Sequence, residues 1–188
     1  MTLAWAWSLL TPPERRVLAL CSPFARPFNV DAVRELAGGG DSDASGVLDV
    51  VRSLRARGLL RTGDVPGLPD EPRLDMHPVT RHWLLEPHPV DEEMQERHDV
   101  RAIRVGRELA REAGGTTGAQ DALRRLELET PGLEDALSHA IDASERERAG
   151  RPKADQARID GQGLALHALL GLTPWLEANP PFARFLSL

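Results

Sequence analysis

A chain of 188 residues with 29 acidic and 23 basic side chains carries a formal charge of −6. It is long enough for one ordinary domain or two small ones with a real core. Nucleic acid is not the expected partner, because phosphate binding normally leaves a basic footprint. The single cysteine, Cys21, cannot form an internal disulfide, and no apolar run reaches the roughly 18 residues that cross a bilayer. The N-terminus lacks the basic flank of a signal peptide, so we expect a cytoplasmic protein with no membrane association.

Threonine-proline pairs recur three times along the chain: Thr11-Pro12, Thr130-Pro131 and Thr173-Pro174. Threonine is a good helix cap, and proline suits the first helical position because its missing N–H would be unpaired there. We therefore predict that each pair opens a helix. At the first pair, Glu14 stands where it can reach back and complete a capping box.

The residues that follow predict two further short helices. One runs from residue 30 to residue 37 and is stopped by a triple glycine at 38 to 40. The other runs from residue 45 to Gly58, and its apolar residues Val47, Val51 and Leu54 share one face.

Two extended pieces come next, at residues 59–62 and 73–76, with a loop rich in glycine, proline and aspartate at 63–72. Three helices followed by a two-stranded hairpin is the outline of a winged helix, and a further amphipathic run begins after His77.

Beyond a Pro-His-Pro break at residues 87–89 the pattern becomes purely helical. We predict a half-exposed helix over 91–113 that ends at a glycine-rich segment, and then a helical pair at 119–129 and 131–143. Residues 144–160 have almost no large apolar side chain, which indicates a solvated linker or a fraying helix end. A last apolar helix is expected at about 163–172.

The predicted fold is therefore mainly α, with a winged-helix domain at residues 1–86 and an antiparallel, repeat-like helical region at 90–188.

A family resemblance covers about three quarters of the chain. The segment LAWAWSLLTPPERRVLALCSPFARPFNVDAVREL resembles the region that follows the nucleotide-binding core in signal-transduction ATPases of the NB-ARC (STAND) class, which include bacterial transcriptional regulators. VLDVVRSLRARGLL is similar to the third helix and first wing strand of that family, and RLDMHPVTRHWL to its Met-His-Asp motif. ALRRLELETPGLEDALSHAID is similar to the start of its helical repeats. The matching positions in the first segment are Trp5, Leu9, Leu10, Thr11, Glu14, Arg15, Phe24, Phe28 and Ala32.

The resemblance implies a phosphate-sensing role for Met76 and His77. In the family the motif histidine reaches the phosphates of a bound ADP and holds the closed, inactive arrangement. Pro78 replaces the aspartate of the motif, so the carboxylate that usually orients this loop is absent. Without the resemblance, the preferred interpretation of His77 is a cap or packing residue at a strand-helix junction.

The nucleotide-binding core itself is absent from the sequence. No G-x-x-x-x-G-K-[ST] loop is present to cradle phosphates. ADP or ATP is therefore expected only if an ATPase core is supplied in cis or in trans. We predict a non-enzymatic segment that relays nucleotide state through contacts with a protein partner.

Other catalytic and metal sites are not expected. His77, His82 and His88 are spaced so that they do not stack on one helical face, and no cysteine pair lies near them. Cys21 lies on the apolar side of the first helix without a local base, which favours packing over nucleophilic chemistry.

DNA binding by a free-standing winged-helix transcription regulator is the alternative function. Arg52, Arg55 and Arg57 lie on or near the exposed side of the third helix, which many winged helices insert into the major groove. Residues 1–86 carry ten basic and eleven acidic side chains, however, so this half has no net attraction for phosphate. A solvated face, or one that docks an ATPase domain, is the preferred interpretation of these arginines.

The C-terminal segment ends in a cluster of large apolar side chains after a polar stretch. Helical-repeat arrays normally end in a polar cap. The cluster predicts either fold-back onto the chain's own helices or a surface for a partner or for self-association. Its candidate docking residues are Trp175, Phe182, Phe185 and Leu186.

Overall fold

The computed structural model describes residues 3–38, 44–86, 90–148 and 161–178, which form eight helices and two strands. In chain order these are α1 (Leu3–Ser8), α2 (Pro12–Cys21), α3 (Val30–Leu36), α4 (Ala44–Ala56), β1 (Arg61–Val65), β2 (Leu68–Asp75), α5 (Pro78–Leu85), α6 (Glu92–Ala113), α7 (Ala119–Arg148) and α8 (Gly161–Ala178). The prediction of a mainly α fold is confirmed. The chain divides into two units, Met1–Arg97 and His98–Leu188, and the division falls inside α6.

Capping residues begin α2 and α3 in the first unit. Thr11 caps α2, and Glu14 completes the capping box that the sequence predicted. Asn29 caps α3 by accepting a hydrogen bond from the Ala32 N–H at 2.8 Å. After α4 the backbone turns at Gly58, whose φ of +73° is a conformation that other residues rarely adopt.

The hairpin is longer than the sequence predicted. β1 and β2 pair antiparallel with Arg61 opposite Asp75 and Val65 opposite Leu68, so most of the predicted loop at residues 63–72 is strand. The turn is tight because Gly67, at φ +85°, reverses the chain directly after Val65 and Pro66. Glycine and proline indicate a turn in this segment, but the turn occupies only Pro66 and Gly67.

The core of the first unit lies between α2, α3, α4, α5 and the hairpin. Val47, Val51 and Leu54 are buried from α4, as their shared face predicted. Phe28 forms an isolated bridge to Leu74, and this joins the segment before α3 to the outer edge of β2. The largest fully buried side chains here are Phe28, Leu18, Leu54, Leu60, Met76 and Leu84.

The second unit packs the later part of α6 with α7 and α8. Leu133 of α7 is fully buried and lies against two glycines, Gly106 of α6 and Gly171 of α8. A Cβ atom on Gly106 would lie 2.7 Å from Leu133 Cδ1, so the close approach requires the missing side chain. Glycine therefore sets how closely these helices pack.

Two of the three threonine-proline predictions were wrong. Pro131 lies inside α7, so the predicted pair at 119–129 and 131–143 is one helix, and Pro174 lies inside α8. Each threonine instead donates its hydroxyl to a carbonyl four residues earlier, Thr130 to Leu126 at 2.9 Å and Thr173 to Leu169 at 3.0 Å. Residues 144–148, predicted to be linker or fraying helix, continue α7, and residues 149–160 lie outside the described part of the chain.

Candidate docking and sensing site

Met76 and His77 occupy the junction between β2 and α5 and play different parts. Met76 is fully buried in the first core. His77 is exposed and caps α5, because its Nδ1 accepts a hydrogen bond from the Val79 N–H at 3.2 Å. A neutral imidazole that accepts at Nδ1 carries its proton on Nε2, so His77 offers one donor to an anion. The capping role considered from the sequence is confirmed.

Arginine and aspartate side chains surround this junction. Arg81, one turn into α5, donates to the Ala25 carbonyl at 3.4 Å, and burial lowers the pKa of its guanidinium while the Asp75 carboxylate opposes that shift. Asp75 accepts from Arg61 Nε at 2.8 Å across the hairpin. The cluster ties β1, β2, α5 and the segment before α3 together. Sequence reasoning missed it, since its members are separated along the chain.

The three arginines of the α4 surface are exposed, as predicted, but each is engaged within the chain. Arg52 pairs with Asp49 at 2.8 Å. Arg55 donates to the Thr62 hydroxyl at 2.7 Å. The acidic partner of Arg52 lowers its attraction for a phosphate backbone, whereas the neutral Thr62 hydroxyl leaves the Arg55 charge in place.

Arg57 belongs to a network around Glu14, which is only 5% exposed. One carboxylate oxygen, Oε2, accepts from the Thr11 N–H at 2.8 Å and from the Thr11 hydroxyl at 3.0 Å. The other, Oε1, accepts from the Ser53 hydroxyl at 2.6 Å and lies 3.3 Å from Arg57 Nε. The Ser53 and Thr11 hydrogen bonds, with a smaller contribution from Arg57, lower the Glu14 pKa to about 2. The carboxylate therefore fastens the start of α2 to the end of α4 and is not a proton acceptor near neutral pH.

An apolar strip lies on the first helix of the chain. Trp5 of α1 and Leu9, which follows the end of α1, are 53% and 49% exposed. Trp7 of the same helix contacts Trp83 edge-on with ring centroids 6.3 Å apart, and the Arg15 guanidinium lies 5.7 Å from the Trp7 centroid. Exposed tryptophan and leucine side chains are typical of protein contact surfaces.

The predicted C-terminal docking residues are only partly within the described chain. Trp175 is half-buried and packs against the second core. Phe182, Phe185 and Leu186 lie outside the described residues, as does His88.

Two polar pairs join α6 and α7 in the second unit. Arg101 binds Glu129 through two nitrogens at 2.9 and 3.4 Å, and both side chains are buried. His139 Nδ1 lies 3.0 Å from the Asp99 carboxylate. The buried Arg101–Glu129 pair fixes helix register, because a displaced partner would leave a buried charge uncompensated, whereas His139 is partly exposed.

Candidate catalytic chemistry is limited within the described ranges. The Cys21 thiol is fully buried, and burial raises its pKa, so it is a poor nucleophile. No cluster of three histidine, cysteine or acidic side chains suited to a metal ion occurs among the described residues. No described helix has both the length and the apolar character that spanning a bilayer requires.

Comparison with known proteins yields no relative: no family model, no curated protein and no solved structure matches this chain.

Proposed function

We propose that this chain is a non-enzymatic regulatory segment of an NB-ARC-type switch, which relays the nucleotide state of an ATPase core by protein contacts. The observation that carries the proposal is the Met76-His77 junction. Met76 is fully buried and anchors a short turn. His77 beside it is exposed, and its Nε2–H can donate a hydrogen bond to a nucleotide phosphate held by another domain or protein.

The order of elements supports the same function. Helices α2, α3 and α4, the hairpin and the His77-capped helix follow one another in the order that the family resemblance implies, and the short helix α1 precedes them. The Arg61-Asp75-Arg81 cluster links the hairpin to α5. A displacement of His77 on ligand contact would therefore move both elements and not only the turn between them.

Several donors are needed to hold a phosphate, and His77 supplies one. In the proposed switch the remaining donors belong to the ATPase core, so ADP or ATP binds only when that core is present in cis or in trans. The partner is accordingly a protein, and the compartment is the cytoplasm, where such nucleotides are available.

Titration calorimetry tests the first part of the proposal. The chain alone should give no heat beyond dilution with millimolar ADP or ATP. A micromolar affinity that is lost in His77→Ala would overturn the proposal, because the chain would then hold a complete nucleotide site of its own.

The second part of the proposal is that His77 contacts ADP when an ATPase core is present. Its test requires that core, which is to be sought in the same reading frame or in an adjacent gene. With the core present, His77→Ala should weaken ADP binding about tenfold, the usual effect of losing one hydrogen bond to a charged group. His82→Ala is the matched control, since His82 is an exposed histidine of the same helix, and it should leave ADP affinity unchanged. Equal effects of the two substitutions would contradict a sensing role for His77.

A gel-shift assay distinguishes the proposed function from that of a DNA-binding regulator. The proposed segment should bind random duplex DNA weakly or not at all at physiological salt, and the double variant Arg52→Ala/Arg55→Ala should not change that. Selection of one reproducible sequence from a random pool would refute the proposed function.

A further inference from the structure

A groove of about 320 Å³ runs between α6 and α8 in the second unit. Its floor is apolar and is formed by Ile103, which is almost buried, and Val100, which is 40% exposed. His167 of α8 forms the opposite wall. We call this feature the basic groove, because its rim consists of Arg104, Arg107 and Arg111.

The three rim arginines form a row along α6. They occupy positions i, i+3 and i+7, so at a rise of about 1.5 Å per residue the row extends about 10 Å. Arg104 shares its charge with Glu108, whose carboxylate lies 3.1 Å away. Arg107 and Arg111 make no ion pair or hydrogen bond within the described residues. The groove therefore has unsatisfied positive charge beside an apolar floor.

The occupant that complements these features must combine a row of negative charges with apolar surface. A phosphate backbone supplies negative charge but makes no use of the apolar floor formed by Val100 and Ile103. The two longest undescribed segments of the chain do not complement the row either. Residues 179–188 contain one arginine and no acid, and residues 149–160 contain three basic and two acidic side chains.

We propose that the basic groove binds an acidic amphipathic helix of a partner protein. Acidic side chains at i, i+3 or i+4, and i+7 of such a helix match the spacing of the arginine row, and an adjacent apolar stripe covers Val100 and Ile103. This inference goes beyond the proposed function: it concerns the second unit and requires no nucleotide.

Fluorescence anisotropy with a labelled helical peptide of about five turns tests the proposal on the full chain. The probe carries glutamate at the matching positions and leucine on the neighbouring stripe. We expect saturable binding that weakens as salt rises. Replacing the glutamates by lysine should abolish it, and replacing the leucines by serine should weaken it at least about tenfold, since the apolar contact is lost.

Charge reversal of the two unpaired arginines locates the site. Arg107→Glu/Arg111→Glu should weaken peptide binding at least about tenfold. Arg16→Glu/Arg26→Glu changes the net charge equally at two exposed positions of the first unit and should stay within about twofold of wild type. Arg107→Gln/Arg111→Gln provides a milder variant that should also lose affinity, in case charge reversal disturbs folding.

Three results would overturn the proposal. One is the absence of peptide binding at millimolar concentration, and another is an equal loss in the groove and control variants. The third is displacement of the peptide by random duplex DNA with the same dependence on Arg107 and Arg111, which would identify the groove as a phosphate-backbone site instead.

Discussion

Glu14 gives the sharpest test of how the first unit is held together. Its carboxylate accepts hydrogen bonds from Thr11 of the α2 cap and from Ser53 of α4, and its pKa falls from 4.5 to about 2. At 1.36 kcal/mol per pKa unit this shift has an upper limit of about 3.4 kcal/mol. Arg57 is 42% exposed, so solvent screens its share, and we expect about 2 kcal/mol in practice.

The direction of the pH dependence follows from the lowered pKa. Because the folded-state value lies below the unfolded one, this stabilisation is fully present above about pH 4.5 and is lost as the pH falls toward 2. Glu14→Gln should therefore reduce the free energy of unfolding by about 2 kcal/mol near pH 6. The difference between wild type and variant should shrink by more than half at about pH 3, where most of the carboxylate's advantage is gone.

Urea unfolding followed by tryptophan fluorescence measures this difference, since Trp5, Trp7 and Trp83 all lie in the first unit. Glu96→Gln is the matched control, an exposed glutamate of the same unit, and it should change stability by less than about 0.5 kcal/mol at either pH. A Glu14→Gln deficit that is the same at both pH values would refute the argument, because the ionised carboxylate would then contribute nothing specific.

Two further predictions concern packing. Gly106→Ala should destabilise the second unit by about 1 to 3 kcal/mol, because the added Cβ would lie 2.7 Å from the buried Leu133 side chain. Gly46→Ala on α4 is the control: its Cβ meets nothing within 4 Å, and the substitution should stabilise by about 0.5 to 1 kcal/mol. Thermal melts of the two variants check these opposite signs, and a neutral or stabilising Gly106→Ala would contradict the close helix approach. The Cys21 thiol should resist thiol reagents in native buffer at mildly alkaline pH and react rapidly in concentrated urea, because the folded chain buries it and raises its pKa. Rapid labelling of the native chain would contradict this prediction, because the thiol would then be accessible.

Much of the local structure could be predicted from the sequence because local chemistry determines it. The Thr11-Glu14 box and the α4 face each depend on residues within a turn or two of one another. His77 as a cap belongs to the same class, since its partner is the Val79 N–H two residues on.

At Thr130-Pro131, tertiary packing overrides the local sequence signal. Its pattern is the same as at Thr11-Pro12, and proline disfavours helix in the residue before it. Here, however, Leu126 and Leu133 are buried on either side of the pair, and Glu129 is held by Arg101, so tertiary packing keeps the helix continuous. The threonine hydroxyl then compensates locally by donating to the Leu126 carbonyl.

The site residues divide in the same way. The exposed positions of Arg52 and Arg55 could be predicted from helical periodicity. Arg52 pairs with Asp49 within α4, whereas the Thr62 partner of Arg55 lies in β1 and could be identified only from coordinates. Ser53 meets Glu14 across 39 positions of sequence. The basic groove was missed because a charged helix such as α6 is ordinarily solvated, and only the placement of His167 beside it reveals a concave surface.

The hairpin has a consequence for solubility. A two-stranded sheet has two open edges, and each is a template on which another chain could add a strand. The backbone of Phe28 covers part of the β2 edge by exchanging two hydrogen bonds with Leu74, at 2.9 and 2.7 Å. The β1 edge carries the charged side chains of Arg61 and Asp64, and its pairing is irregular between Gly63 and Val65. Both edges therefore resist intermolecular strand addition, so the chain is protected against aggregation through its sheet.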